Sequence, residues 1–194
     1  MKQDRARRTH ALVLDAAAAE FVAHGFTGTQ LERVVARTGL SKGALYGHFS
    51  SKVAIADELV EQFEEAWRRM LDRADSSPSS PLAACDSLLL ELAHRLGHDL
   101  RFVCGLRLVT EEARAEGQVP RHFEELRALM AKLAKQAQEL GALSPEPSAD
   151  RIGDSLLAVL VGVHHTTPAN RPEQVVDRVR DLRAILLGEG LTSG

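Results

Sequence analysis

The sequence predicts an all-α chain of about nine helices, with a three-helix head over residues 1–52 and a larger helical body over residues 53–194. Three observations predict it. Ala, Leu, Glu and Arg dominate the 194 residues, and all four favour helix. Apolar residues recur three and four apart along most of the chain, the period of a helix with one buried face. Aromatic residues are only 4% of a chain that is 44% hydrophobic, and β-branched runs are short, so no strand pattern competes.

Each element can be justified in turn. Residues 1–10 are polar and basic and read as a frayed arm. The first helix runs to about Ala23, with Val13, Ala17 and Phe21 spaced by four on its inner face. His24-Gly25 ends it, and Phe26 staples the following loop to the head core. Thr29 then reads as an N-cap, and Glu32, three residues on, can close a capping box. Leu31, Val34 and Val35 give a short second helix its apolar face. Gly39 supplies the turn, because only glycine takes positive φ without a Cβ clash. Ser41 caps a third helix that sends Leu45 and Phe49 into the same small core. Two short helices around one tight turn make a helix-turn-helix.

The fourth helix spans about Ser51 to Arg73, with an apolar stripe of Ile55, Leu59, Phe63, Ala66 and Met70. Trp67 lies beside that stripe and reads as core. Because this helix starts in the head and ends in the body, it can carry movement between them. Asp75–Pro81 is a Ser/Pro-rich loop. Helices follow over about Leu82–Leu96, Leu100–Glu116 and Arg121–Leu140, separated at Gly97, at Gly117 with Pro120, and at Gly141 with Pro145-Glu146-Pro147. The last two cover about Ala149–His165 and Pro172–Leu187. The first of these is apolar on two faces, one carrying Ile152, Leu156, Val159 and Val163, the other Leu157, Leu160 and Val161. A helix apolar on two sides must be covered on two sides.

The outer face of the third helix decides the functional reading. Ser41, Lys42, Gly43, Ala44, Tyr46 and His48 are small, cationic or polar-tipped. Small residues let a helix enter a major groove closely. Lys42 can reach a base edge or a phosphate, and Tyr46, His48 and Lys52 can donate to phosphates. Arg5, Arg7 and Arg8 could touch the DNA backbone or form a solvated charge cluster. Formal net charge is −3. Residues 1–52 carry eight Lys/Arg against four Asp/Glu, net +4, which leaves −7 on the rest. A basic head on an acidic body concentrates attraction for a polyanion at one end.

These residues carry a resemblance. Phe21, Gly25 and Phe26, the Thr29 cap, Ala36, Gly39, the run S-K-G-A-L-Y-G-H-F from Ser41 to Phe49, and Ser51-Lys52 resemble the DNA-binding signature of the TetR family of bacterial repressors. The match covers about the first quarter of the chain. It implies DNA contacts from Thr29, Ser41, Lys42, Gly43, Ala44, Tyr46, His48 and Lys52. It also implies a homodimer on a pseudo-palindromic double-stranded operator, its four-helix interface lined by Ile152, Leu156, Val159, Val163, Val175, Val179, Leu182 and Leu186. A small apolar effector would bind in the body between residues 82 and 165, near Leu88, Leu92, Phe102, Leu106, Phe123, Leu126, Met130 and Leu157, all of which are also ordinary core residues. Within the family, Cys104-Gly105-Leu106-Arg107-Leu108, Pro120 and Phe123 resemble the γ-butyrolactone autoregulator receptors. Where that subgroup has a ligand-contacting tryptophan, this chain has Leu126.

Other chemistries find little support. Cys85 and Cys104 lack CxxC spacing and read as buried thiols. His94 with His98, and His164 with His165, have no carboxylate or cysteine fixed beside them by the sequence, so no metal is expected. There is no GxSxG, HExxH or phosphate-binding glycine loop, so neither an enzyme nor a cofactor is expected. No leader-like segment and no bilayer-length apolar run is apparent, and the expectation is a cytoplasmic protein. A ligand-independent DNA-binding scaffold and an activator of the same fold remain open alternatives.

Overall fold

The computed structural model describes residues 2–77, 80–168, 171 and 174–186. Among them lie nine helices and no strand: α1 (Lys2–Gly28), α2 (Leu31–Thr38), α3 (Lys42–Tyr46), α4 (Lys52–Asp75), α5 (Pro81–His98), α6 (Leu100–Ala115), α7 (Arg121–Glu139), α8 (Ala149–Thr166) and α9 (Gln174–Leu186). The expected arm is helical from Lys2 onward, continuous with α1. Gly97 lies inside α5, and the turn falls at Asp99, whose side chain accepts from the Phe102 amide at 3.0 Å and caps α6. The expected positions 172, 173 and 187 of the last helix lie outside the described residues.

The chain divides into two compact units, residues 1–66 with 99–118, and residues 67–98 with 119–194. The expected division at 52/53 falls one residue into α4, which begins at Lys52. The compact unit around the head is larger, because it takes in the first part of α4 and all of α6.

The first unit is built on Val13, Leu14, Ala17, Phe21, Val34, Leu45, Phe49, Ile55 and Leu59, joined by Cys104 and Leu108 of α6. Burying a side chain of this size contributes about 1.5–3 kcal/mol. That is what holds α2 and α3, at eight and five residues, because helices so short are unstable alone. The α1–α2 corner turns at Gly25, with φ 70° and ψ 175° inside the first helical stretch. The α2–α3 corner turns at Gly39, with φ 65°, whose amide donates to the Val35 carbonyl. At Gly105, α6 lies against α4 so closely that a Cβ would overlap the root of the Phe63 side chain and stand 3.0 Å from the Leu59 carbonyl oxygen. Phe63 and Phe102 meet edge to face at 5.0 Å between ring centres.

In the second unit, α7 packs on α8, α5 packs on α7 and α9, and α8 packs on α9. The interior is mainly aliphatic: Leu88, Leu89, Leu92, Leu126, Met130, Leu133, Leu156, Leu160 and Val163 are buried. Gly153 brings α8 against α7, its missing Cβ leaving room for the Arg127 carbonyl oxygen, which a Cβ would approach to 2.8 Å. Trp67 is buried as expected and donates to Glu125 Oε2 at 2.9 Å.

Candidate nucleic-acid interface

Ser41 sits extended at φ −74°, ψ 153°, and its Oγ accepts from the Ala44 amide at 3.1 Å. This starts α3 and satisfies one of its orphan donors. Leu45 is fully buried and Phe49 nearly so, and the Phe49 amide donates to the Leu45 carbonyl at 3.0 Å. With the inner side thus anchored, Ser41, Lys42, Gly43 and Tyr46 are exposed, while Ala44 and His48 are half-buried. A Cβ added at Gly43 would meet nothing within 4 Å. The outer surface is therefore flat around Gly43, with a cation and a phenol at its edges, a shape that a groove can receive.

Lys42 Nζ lies 2.9 Å from Glu32 Oε1, and both side chains are well exposed. Their hydrogen bond and mutual attraction hold the Glu32 carboxyl below its usual range and push the Lys42 ammonium up. His48 meets His10 edge-on at 6.0 Å between ring centres. His10 in turn stacks on Phe49 at 4.5 Å and places Nε2 3.1 Å from Glu58 Oε2.

Two of the expected residues are tied within the unit. Thr29 is buried, and its hydroxyl donates to the Gly25 carbonyl at 2.7 Å. The N-cap of α2 is Gln30, without a side-chain bond, so the expected Thr29–Glu32 capping box does not form. The reason is local. Gly25 breaks the helix and leaves its carbonyl exposed to the nearest hydroxyl, and Glu32 finds the Lys42 ammonium instead. Lys52 is half-buried and donates to the carbonyls of Phe26 at 2.8 Å and Thr29 at 3.0 Å, with its ammonium 4.6 Å from the centre of the Phe26 ring. Two of its three N–H donors therefore serve the α1–α2 turn.

The sequence reading missed two polar ties in this unit. Glu20 is 4% exposed and accepts from Arg37 Nε at 2.5 Å, which joins α1 to α2. Its other oxygen is buried without a hydrogen bond, 3.6 Å from His24 Nε2. The second tie joins Arg107 and Glu111 of α6 to the end of α1. The carboxylate of Glu111 accepts from the Phe26 amide at 3.1 Å, and the Arg107 guanidinium donates to the Val22 carbonyl.

The residues expected around an effector are divided between the units. Leu88, Leu92, Leu126 and Met130 are buried in the second unit, where Phe123 and Leu157 are half-buried. Phe102 is buried and Leu106 half-buried in the first. Of the residues expected at a pairing surface, Ile152, Leu156, Val163, Val175 and Val179 are already buried within the single chain. Val159 and Leu182 are half-buried, and the Leu186 side chain lies outside the described residues. Both faces of α8 are apolar, and the stripe spaced by four is one that the subunit covers itself. The face left open carries Ser155, Ala158 and Gly162, all exposed. Among the described residues, no helix is long and apolar enough to cross a membrane, and no three His, Cys, Asp or Glu side chains gather as a metal site.

Comparison with known proteins agrees with this geometry. Residues 13–59 match the family model "Bacterial regulatory proteins, tetR family", a span running from the first core residue of α1 to Leu59 in α4. The chain is 28% identical over 151 residues to the A-factor receptor protein of Streptomyces griseus, covering 75% of this chain and 50% of that protein. It is 27% identical over 100 residues to the HTH-type transcriptional regulator TtgR of Pseudomonas putida, covering 51% of this chain and 48% of that one. The chain thus spans about half the length of the curated relatives it matches. Among solved structures, CprB of Streptomyces coelicolor, in complex with its biological operator sequence, superposes with a TM-score of 0.74 at 28% identity, covering 94% of this chain and 88% of that chain. A γ-butyrolactone receptor described as ArpA-like superposes with a TM-score of 0.66 at 25% identity, covering 95% and 99%. Residues 13–59 thus carry a domain of the tetR family of bacterial regulatory proteins, and the chain shares the fold of the regulators it resembles.

Proposed function

We propose that the chain is a transcriptional repressor that binds a pseudo-palindromic operator as a homodimer and leaves it when a small apolar molecule enters its body. The observation that supports this most is the exposed Ser41–Lys42–Gly43–Tyr46 surface held over buried Leu45 and Phe49. Each head places α3 in a major groove, and two heads sit about 34–36 Å apart, one helical repeat. Tyr46 and His48 serve as phosphate contacts, and Lys42 reaches a base edge or a phosphate. Pairing uses the open face of α8 at Ser155, Ala158 and Gly162, with Val159 and Leu182 of α9 beside it, since small residues let helices approach closely. The operator-bound form of CprB supports the DNA partner, and the receptor relatives support a small-molecule effector. The effector must bind the DNA-free state better, and DNA must weaken effector binding by the same factor.

Leu126 stands where the receptor subgroup has tryptophan. Leu126 is buried in the second unit, and the change from tryptophan argues for a small apolar signal other than a γ-butyrolactone. The test is selection of duplexes from a random-sequence pool by the full chain, followed by anisotropy titration. A two-fold-related site is expected, with Tyr46→Phe weakening all sequences alike and no release at micromolar γ-butyrolactone. A chain that selects no duplex at low salt overturns the reading.

A further inference from the structure

The C-G-L-R-L run at residues 104–108 does work in the head. Cys104 and Leu108 are buried in the same core as Phe21, Leu45 and Ile55, and Gly105 is the point of closest approach between α6 and α4. Just beyond Gly105 on α6, Arg107 and Glu111 form an i, i+4 pair at 2.6 Å and reach the α1–α2 turn together. Glu111 Oε2 accepts from the Phe26 amide at 3.1 Å, and Arg107 donates to the Val22 carbonyl. A Cβ at Gly25 would stand 2.8 Å from Glu111 Oε1, so the turn is moulded against this carboxylate. From the other side, Lys52 binds the carbonyls of Phe26 and Thr29. Four backbone groups around the α1–α2 turn thus bond to side chains from two elements, α6 and the first residue of α4.

We propose that Arg107 and Glu111 are positioning residues that latch the α1–α2 turn to α6 and so hold α2 and α3 in their pose. The proposal rests on the DNA-binding reading above for its consequence, though not for its geometry. Residues 25–29 are the hinge from which α2 springs, and α2 carries Glu32 beside Lys42. A shift of α6 moves the Phe26 amide and the Val22 carbonyl with it.

The test compares the full chain with Glu111→Ala, Glu111→Gln and Arg107→Ala. Glutamine keeps an oxygen that can accept from the Phe26 amide, and alanine does not. Amide exchange over residues 22–30 reads the latch, and titration of a duplex selected by the wild-type chain reads its consequence. Glu111→Ala and Arg107→Ala should each exchange about tenfold faster over this turn, as expected when a local tie is lost. Each should also bind the selected duplex about tenfold more weakly, with the slope of log affinity against log salt unchanged because no phosphate contact is removed. Glu111→Gln should restore both to within about threefold. Either alanine variant serves if the other does not fold. Unchanged exchange, or faster exchange with wild-type affinity, overturns the latch, as does a glutamine variant as weak as alanine. A wild-type chain that selects no duplex would instead sink the proposed function. Exchange across residues 31–46 would then decide the latch, with wild-type rates there in Glu111→Ala overturning it.

Discussion

The two units are held together by different means. In the first, short helices meet at sharp corners, and the α1–α2 corner is tied by polar side chains: Thr29 and Lys52 at the turn, Glu111 and Arg107 from α6, and Arg37 to the buried Glu20. In the second, helices of 13 to 19 residues, along with the last part of α4, pack mainly through Leu, Ala, Val and Met. A polar tie has one geometry, whereas an aliphatic contact tolerates sliding and repacking. The first unit is thus suited to hold a surface in one pose, and the second to repack.

The sharpest way to break this contrast is to overfill the tightest helix contact in each unit. Gly105→Ala drives a methyl into the root of Phe63, which no rotamer change can relieve, and toward the Leu59 carbonyl. It should cost about 3 kcal/mol or more in urea unfolding and abolish duplex binding. Gly153→Ala brings a methyl to 2.8 Å from the Arg127 carbonyl and 3.2 Å from the Ala131 Cβ. It should cost about 1–3 kcal/mol and leave duplex binding intact wherever the chain stays folded. Equal loss of binding in both would show that the units are not functionally distinct.

A smaller effect is expected at the buried carboxylate. Arg37→Ala leaves Glu20 with no charged partner except His24, at 3.6 Å. Leaving a buried acceptor unsatisfied costs about 1–3 kcal/mol, and the lower half applies because Arg37 is about half exposed. Glu20→Leu in the same background should recover part of the loss. A neutral Arg37→Ala in urea unfolding would mean that the tie adds nothing to the α1–α2 corner.

The same contrast explains what could be read from the sequence. The head was legible because its signals are local: Ser41 three residues before the amide it caps, Gly39 at the corner, and Leu45 and Phe49 one turn apart. The place of α6 was not legible. Glu111 and Phe26 are 85 positions apart, and no periodicity within α6 reveals what its polar edge will meet. Thr29 was misread because a helix break four residues earlier gave its hydroxyl a carbonyl to donate to, in place of an α2 amide to accept from. On α8, spacing identified two apolar faces without saying which the subunit covers. Burial of Ile152, Leu156 and Val163 assigns that stripe to the chain's own interior.

Cys104 tests how dry the first unit is. It is fully buried, and burial pushes its thiol up to about 12 from 9.0, with Arg107 opposing the shift. The protonated thiol is the form the fold favours. Its contribution is therefore complete below pH 9 and lost as pH rises towards 12. The difference in urea midpoint between wild type and Cys104→Ala should be constant up to pH 8 and narrow between pH 9 and 11. The native thiol should also resist alkylation at pH 8. Rapid labelling of the folded chain would show that α6 separates readily from the head core, which would weaken the contrast between a fixed and an adaptable unit.

The smallest effect is expected at the exposed Lys42–Glu32 pair, where the fixed unit meets solvent. Surface pairs of this kind contribute little to stability, so Glu32→Gln should leave the melting temperature within error. Its effect belongs to binding. Glu32 holds the Lys42 ammonium at 2.9 Å, and an approaching phosphate or base edge must compete with that carboxylate, which itself repels the DNA backbone. Removing the charge should tighten binding to every duplex by about threefold at low salt, with the gain fading as salt rises. Lys42→Ala should weaken binding in the same assay, by a similar factor for every duplex if Lys42 meets a phosphate and unevenly across operator variants if it meets a base. If Glu32→Gln weakens binding at one operator position only, the carboxylate accepts from a cytosine amino group, and Glu32 then joins Lys42 on the reading surface instead of restraining it.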